Sequence, residues 1–475
     1  MTQLGAIING ERVNTAAEVP VVDPSTAEVI AITADCGPSE VDQAVKAAEA
    51  ALVSWRRTAV EERARLLRRL STLIAQNGVE LSRLESQQTG KPLRQAERDV
   101  EITVRYFDFY ASAIETFYGT TIPMNDNTLI YTSWEPHGVT GHIIPWNYPL
   151  QILGRSIAAA LAMGNCCVLK PAEETPLTAL RVAELALEAG FPKGVFNVVT
   201  GYGESTGAAL TAHPGISHIS FTGSVEVGQI ISIAAARRTI PVTMELGGKS
   251  PNIVFADADL DKAIPVIANA ILQNAGQTCS AGSRLLVHHD VHSELVRRLA
   301  EFFAKVEVGP ALDNPALGPL ISANQRSRVL GFTDWAKDNA SVVFGGNALQ
   351  GGHYGDGFFV QPTLIDNVDP ASKLGQEEVF GPVLAVTPFG SIEEAVQLAN
   401  GTDFGLVAGV WTRNLSTALR MTKDVIAGQV FVNTYGASGG VELPFGGFKR
   451  SGHGREKGAE GLRGFGQVKT SVIAL

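Results

Sequence analysis

Between Val139 and Phe255, short apolar runs alternate with longer stretches whose apolar residues recur every three or four positions. The runs GHIIP, CCVLKP, FNVVT and HISFTG are too short for helices and read as buried strands. The stretches between them read as helices: an Ala-rich segment around Ile157, LTALRVAELALEAG, a shorter piece after Thr200, and VGQIISIAAA. Such alternation predicts βαβ units in a parallel sheet, whose ligands gather at the carboxyl ends of the strands, so a dinucleotide site is plausible here. Upstream, VDQAVKAAEAALVSWR and RARLLRRLSTLIAQN each carry one apolar face and read as amphipathic helices covering the same sheet. A second α/β region runs from about Pro251 to Thr434, with PNIVF, the helix LDKAIPVIANAILQNAG, LLVHH and VFVNT. TLIYTSWEP at 128–136 and QVKTSVIAL at 467–475 read as exposed strands.

Composition narrows the classes. A chain of 475 residues exceeds one compact core and implies two or three domains. A net charge of −10 disfavours nucleic-acid and anionic-membrane partners, which are met by an excess of Lys and Arg. The N-terminus lacks a basic region followed by a long apolar stretch, so no secretory signal is expected, and the apolar run Ile157 to Met163 is too short to span a bilayer. Cys36, Cys166, Cys167 and Cys279 have neither metal-ligand spacing nor a disulfide framework, so no metal is expected and a reducing cytoplasm fits.

The chemistry centres on GQTCSAG at 276–282. A cysteine among Gly, Thr and Ser has little apolar packing to do, and a thiolate paired with a carboxylate such as the upstream Glu245 suits aldehyde oxidation. The segments IIPWNYP (143–149), LKPAEETP (169–176), FTGSVEVG (221–228), MELGGKSP (244–251), GQTCSAGSR (276–284), EEVFGPV (377–383) and PFGGFKRSGHGRE (444–456) together resemble the aldehyde dehydrogenase superfamily, in order and spacing and over most of the chain. The resemblance implies an α/β fold of aldehyde dehydrogenase type. It would comprise a Rossmann-type NAD-binding domain (1–116 and 137–247), a second α/β catalytic domain (248–449) and a small β oligomerisation element (117–136 and 450–475). It also implies a homodimer or homotetramer.

The resemblance further implies Cys279 as nucleophile, Glu245 as general base for thioester hydrolysis, and Asn147 with the Cys279 backbone N–H as oxyanion donors. Asn147 would equally serve as a helix N-cap. Glu245 separates the hydrolytic branch from relatives that pass the acyl group to coenzyme A. The FTGSVEVG segment, with Phe221, Gly223, Ser224 and Val227, is the family's variant of the phosphate-binding turn. Lys170 and Glu173 would bind the adenosine ribose, Glu173 disfavouring the 2′-phosphate of NADP. Glu378 and Phe380 resemble the contacts to the nicotinamide end, and Ile144, Pro145, Trp146, Gly203 and Leu246 complete the cofactor surface.

For the substrate, register with the family points to Tyr148, Gln151, Ile152, Arg155, Thr278, Ser280 and Phe445. Arg155 occupies a position where relatives oxidising either carboxylate-bearing semialdehydes or aromatic aldehydes carry Arg, and pairing with a nearby acid is its alternative role. Gln273 stands where carboxylate-binding relatives have a second Arg, and the loop 435–443 is Gly-rich. A roomy pocket with one cation is expected, for aromatic or medium-length aldehydes first and semialdehydes next.

Overall fold

The computed structural model describes residues 2–436 and 440–475, so part of the Gly-rich loop 435–443 lies outside the described residues. The first sheet runs, edge to edge, through Gly452–His453, Val242–Glu245, His218–Thr222, Val139–Ile143, Cys166–Lys170, Phe196–Val198, Ala6–Ile8 and Glu11–Val13. Its strands from Val242–Glu245 to Phe196–Val198 are parallel. The chain enters at Val139–Ile143, steps outward to Cys166–Lys170 and Phe196–Val198, then crosses back to His218–Thr222 and Val242–Glu245. Strand order therefore reverses between Val139–Ile143 and His218–Thr222, and a crevice opens where the two neighbouring strands send their chains in opposite directions.

Helices cover this sheet with the faces their periodicity dictates. Pro38–Trp55 lies on the sheet, whereas Val60–Gln76, expected there too, packs mainly on the helices Leu93–Ala113, Leu177–Ala189 and Pro149–Met163; it buries Leu66, Leu67, Leu70 and Ile74, and full burial of each such side chain stabilises by about 1.5–3 kcal/mol. Pro149–Met163 is buried everywhere except at Gln151, which accounts for its Ala-rich sequence. The second sheet runs Ser341–Phe344, Thr363–Asp366, Val383–Phe389, Arg284–His288, Pro251–Val254, Val407–Trp411 and Gln429–Val432, with only Ser341–Phe344 antiparallel. It has apolar cores of its own, separate from that of the first sheet.

Several parts differ from the sequence reading. The N-terminal residues build a three-stranded sheet (Thr2–Leu4, Val29–Ala34, Glu18–Val22) and a hairpin that widens the first sheet. The hairpin turns at Asn9-Gly10, φ +51° and +72°, an Asn-Gly turn signal that was present in the sequence. The helix ending in LQNAG stops at Leu272, because Asn274 and Ala275 take φ of +50° and +53°. Thr128–Pro136 and Gly466–Ala474 pair antiparallel with each other as a two-stranded ribbon. Residues 450–464, expected with that ribbon, instead return to the first sheet. Gly452–His453 pairs with Met244–Glu245, and Gly458–Gly464 packs on Pro149–Met163, burying Leu462 and, just before it, Glu456. Among the described residues, no helix is long and apolar enough to cross a membrane.

Candidate active site

Cys279 sits in the loop that leads from Leu272 to the strand Arg284–His288, and the loop is tied down at several points. Gly276 has φ +72°, and a Cβ on it would lie 2.1 Å from the carbonyl oxygen of Gly381, so only glycine fits. The Asn274 N–H donates to Gln95 Oε1 at 3.0 Å, and the Ile321 N–H donates to Gln277 Oε1 at 2.9 Å. The loop is also locked to Asn147: Asn147 Nδ2 donates to the Gln277 carbonyl at 2.9 Å, and Asn274 Nδ2 donates to the Asn147 carbonyl at 2.9 Å.

Asn147 Oδ1 is buried without a partner and does not cap the following helix. Tyr148 holds the N-cap position, and Glu85 Oε1 accepts from the Leu150 N–H at 3.3 Å instead. The second Nδ2 proton of Asn147 is left for an acceptor beside Cys279. Among the described residues nothing accepts from the Cys279 backbone N–H, so this group too is open to an acceptor bound in the cavity.

Glu245 ends the strand Val242–Glu245 and is buried, with neither carboxylate oxygen hydrogen-bonded. The turn after it is pinned by Ser451, whose carbonyl accepts from the Leu246 N–H at 3.0 Å and whose Oγ donates to the Gly247 carbonyl at 2.8 Å. Burial pushes the Glu245 carboxyl well above the ordinary range, with Arg155 opposing. It also pushes the Cys279 thiol up to about 11, against the opposing pull of Arg155 and, more weakly, Lys457. The Cys279 thiol thus rests protonated at neutral pH, and both groups ionise more readily when positive charge or ordered water comes close. Glu378, held by the Gly248 N–H at 2.9 Å, is raised to about 7 by burial.

Two cavities meet at this point. One, of about 580 Å³, is lined by Pro145, Trp146, Gly223, Ser224, Glu245, Glu378 and Phe380. It lies at the reversal of strand order, beyond the ends of Val139–Ile143 and His218–Thr222. The helix Val225–Arg238 begins there, with Ser224 Oγ accepting from the Val227 N–H at 3.3 Å. Phe380 takes φ +60° and sets its ring edge-on to Trp146, centroids 5.3 Å apart. A Cβ at Gly228 would come within 2.7 Å of Leu246 Cδ2, so glycine lets helix and strand approach closely. Ile144, Lys170, Glu173, Gly203, Phe221, Val227 and Leu246 do not line this cavity. The Ile144 N–H donates to the Lys170 carbonyl at 3.1 Å, Lys170 Nζ meets Glu173 Oε2 at 2.8 Å at the end of the neighbouring strand, and Gly203 opens a short turn through Gly207. An anion-receiving helix start, a carboxylate near each end and an aromatic pair fit a dinucleotide.

The other cavity, of about 610 Å³, holds Tyr148, Gln151, Ile152, Arg155, Thr278, Ser280 and Phe445. Tyr148 Oη and Thr278 Oγ1 share a hydrogen bond of 2.9 Å, and Gln151 Nε2 donates to Asp99 Oδ1 at 2.5 Å. Asn147 and Cys279 belong to the walls of both cavities. Of the two roles open for Arg155, pairing with an acid is the one observed: its guanidinium forms an ion pair with the buried Glu456 and donates to Thr222 Oγ1 at 3.0 Å. The sequence reading missed Glu456 and Lys457. Glu456 closes the last motif and Lys457 follows it directly, but only the fold brings them beside Arg155 and Phe445.

Comparison with known proteins agrees with this geometry. A profile described as "Aldehyde dehydrogenase family" matches residues 12–471. The hydroxyisobutyraldehyde dehydrogenase of Mycolicibacterium austroafricanum is 43% identical over 472 residues, 98% of this chain and 93% of that protein. Retinal dehydrogenase 2 of Homo sapiens is 42% identical over 463 residues, 96% of this chain and 88% of that protein. The structure of the NAD+ complex of an aldehyde dehydrogenase from Bacillus cereus superimposes with a TM-score of 0.97 at 40% identity, covering 100% of this chain and 97% of that one.

Proposed function

Since the chain belongs to the aldehyde dehydrogenase family, we propose that it oxidises an aldehyde to the carboxylic acid through a thioester on Cys279, with NAD as cofactor. The observation that carries this reading is the shared wall: Cys279 and Asn147 face a dinucleotide-sized cavity and a second, aromatic-lined cavity at once. The Cys279 thiolate adds to the aldehyde carbon, and the Cys279 N–H and Asn147 Nδ2 hold the oxygen of the thiohemiacetal. NAD bound beside them supplies the hydride acceptor. Glu245, once ionised, takes a proton from the water that opens the thioester, releasing acid and thiol.

Glu173 favours NAD over NADP, since its carboxylate repels a 2′-phosphate while Lys170 tempers the repulsion. Tyr106, Tyr148, Phe431, Tyr435 and Phe445 give the substrate cavity walls suited to aromatic or medium-length aldehydes. Transfer to coenzyme A is the weaker alternative, because Glu245 stands ready for water. The unpaired cysteines suit a reducing cytoplasm, and the exposed ribbon suits a homodimer or homotetramer. The test is NADH formation from short and medium aliphatic aldehydes, benzaldehydes and succinic semialdehyde, with NAD and NADP compared and the product analysed. Acyl-coenzyme A in place of free acid, or no turnover of any aldehyde, overturns it.

A further inference from the structure

The charged side chains lining the substrate cavity are Arg94, Arg98, Asp99, Arg155 and Lys457. Most are committed elsewhere. Asp99 pairs with the buried Lys91, Arg98 with Glu101 at 2.6 Å, and Arg155 with Glu456. Arg94 Nη1 donates to the Asn314 carbonyl at 2.8 Å. Lys457 is different: among the described residues its ammonium has no ion pair and no hydrogen bond. Its Nζ lies 5.0 Å from the centroid of the Phe445 ring and 6.0 Å from that of Tyr106.

Its backbone is held in place for this. Lys457 takes φ +61° and ψ 169°, which side-chain-bearing residues rarely adopt. Reciprocal hydrogen bonds between Phe445 and Glu456 of 2.7 and 2.8 Å, and one from the Gly458 N–H to the Val441 carbonyl at 2.8 Å, clamp both sides of it. Burial, then Arg155, lower its pKa to about 8. It is thus a desolvated cation, near aromatic faces and in the field of Cys279, Glu245 and Glu456, but paired directly with none of them among the described residues.

We propose that Lys457 binds an anionic group of the substrate, so that the preferred substrates are aldehydes carrying a carboxylate on an aromatic or medium-length body. Arg155, neutralised by Glu456, is a structural cation. This rests on aldehyde oxidation at Cys279 as read above. A carboxylate entering the cavity gives Lys457 the charge-assisted partner that the protein does not supply, while Phe445 and Tyr106 pack against the body of the substrate.

The test compares 4-carboxybenzaldehyde with its neutral methyl ester, and succinic semialdehyde with butanal, in the full-length wild type, Lys457→Met and Lys457→Arg. Lys457→Met is expected to lower kcat/KM for the charged aldehydes about 30-fold or more, mainly through KM, and for the neutral ones less than about 3-fold. Lys457→Arg should restore much of the loss. Equal losses on charged and neutral aldehydes would assign Lys457 to the reacting centre rather than to the substrate's anionic group and overturn the proposal. Should the Met variant fail to fold, the wild type decides: it should prefer the carboxylate to the ester by about 10-fold or more, a preference that salt erodes, and an equal or reversed ratio overturns the proposal. Turnover of neutral aldehydes alone leaves the oxidation reading standing. Turnover of no aldehyde removes that reading instead.

Discussion

Glu245 shows how a single residue's placement sets two measurable properties. In the unfolded chain its carboxyl ionises near the ordinary value of 4.5, whereas in the fold burial holds the proton to well above that. Between those two values the native state binds the extra proton, so this group's contribution to stability falls as pH rises through the window. Glu245→Gln should therefore raise Tm relative to wild type above about pH 5 and leave it little changed in more acidic solution. The same variant should form the thioester and then stall, losing on the order of 10²-fold in steady-state turnover while keeping a burst of NADH. A Tm series against pH and a rapid-mixing burst measurement check both. Wild-type turnover should climb from neutral toward alkaline pH, as Cys279 gives up its proton. Asn147→Ala removes an oxyanion donor and also the link to the Gln277 carbonyl. Its kcat should fall by about 10²- to 10³-fold, and a loss of only a few-fold would remove Asn147 from the oxyanion site.

At the scale of the element, the catalytic loop depends on its approach to the segment around Phe380. Gly276 allows that approach through a positive φ and a contact on the Gly381 carbonyl that no Cβ permits. Gly276→Ala should destabilise the protein by about 1–3 kcal/mol and lower kcat, because the shift falls on the loop carrying Cys279. Chemical denaturation and steady-state kinetics on the same sample measure both effects. The motif around Cys279 was legible because its small and polar neighbours are adjacent in the chain. The end of the preceding helix was not, since Asn274 and Ala275 leave helical geometry for the sake of contacts with Gln95, Asn147 and Gln277, none of which periodicity reports.

For the whole molecule, the proposed subunit contact rests on the ribbon of Thr128–Pro136 and Gly466–Ala474. A lone two-stranded sheet is marginal in water, and this one exposes Leu129, Tyr131, Val468, Val472 and Ile473. Covering it with another subunit hides both the apolar side chains and the open edges. Val468→Asp combined with Val472→Asp should lower the molar mass found by light scattering, with the monomer's secondary structure retained in circular dichroism. An unchanged mass would place the subunit contact elsewhere.

The alternation of strands and helices, the faces the helices bury and the cysteine with its small neighbours follow from the sequence alone, because each depends on residues close together in the chain. The meeting of two cavities at Cys279 and Asn147, the pairing of Arg155 with Glu456 and the unpaired ammonium of Lys457 were decided only by the tertiary structure. Arg155 and Glu456 stand 301 positions apart in the chain, and Asn147 and Cys279 stand 132 apart. These relations arise from how the two sheets and the returning C-terminal segment pack, and burial and charge pairing are properties of that packing rather than of any local pattern.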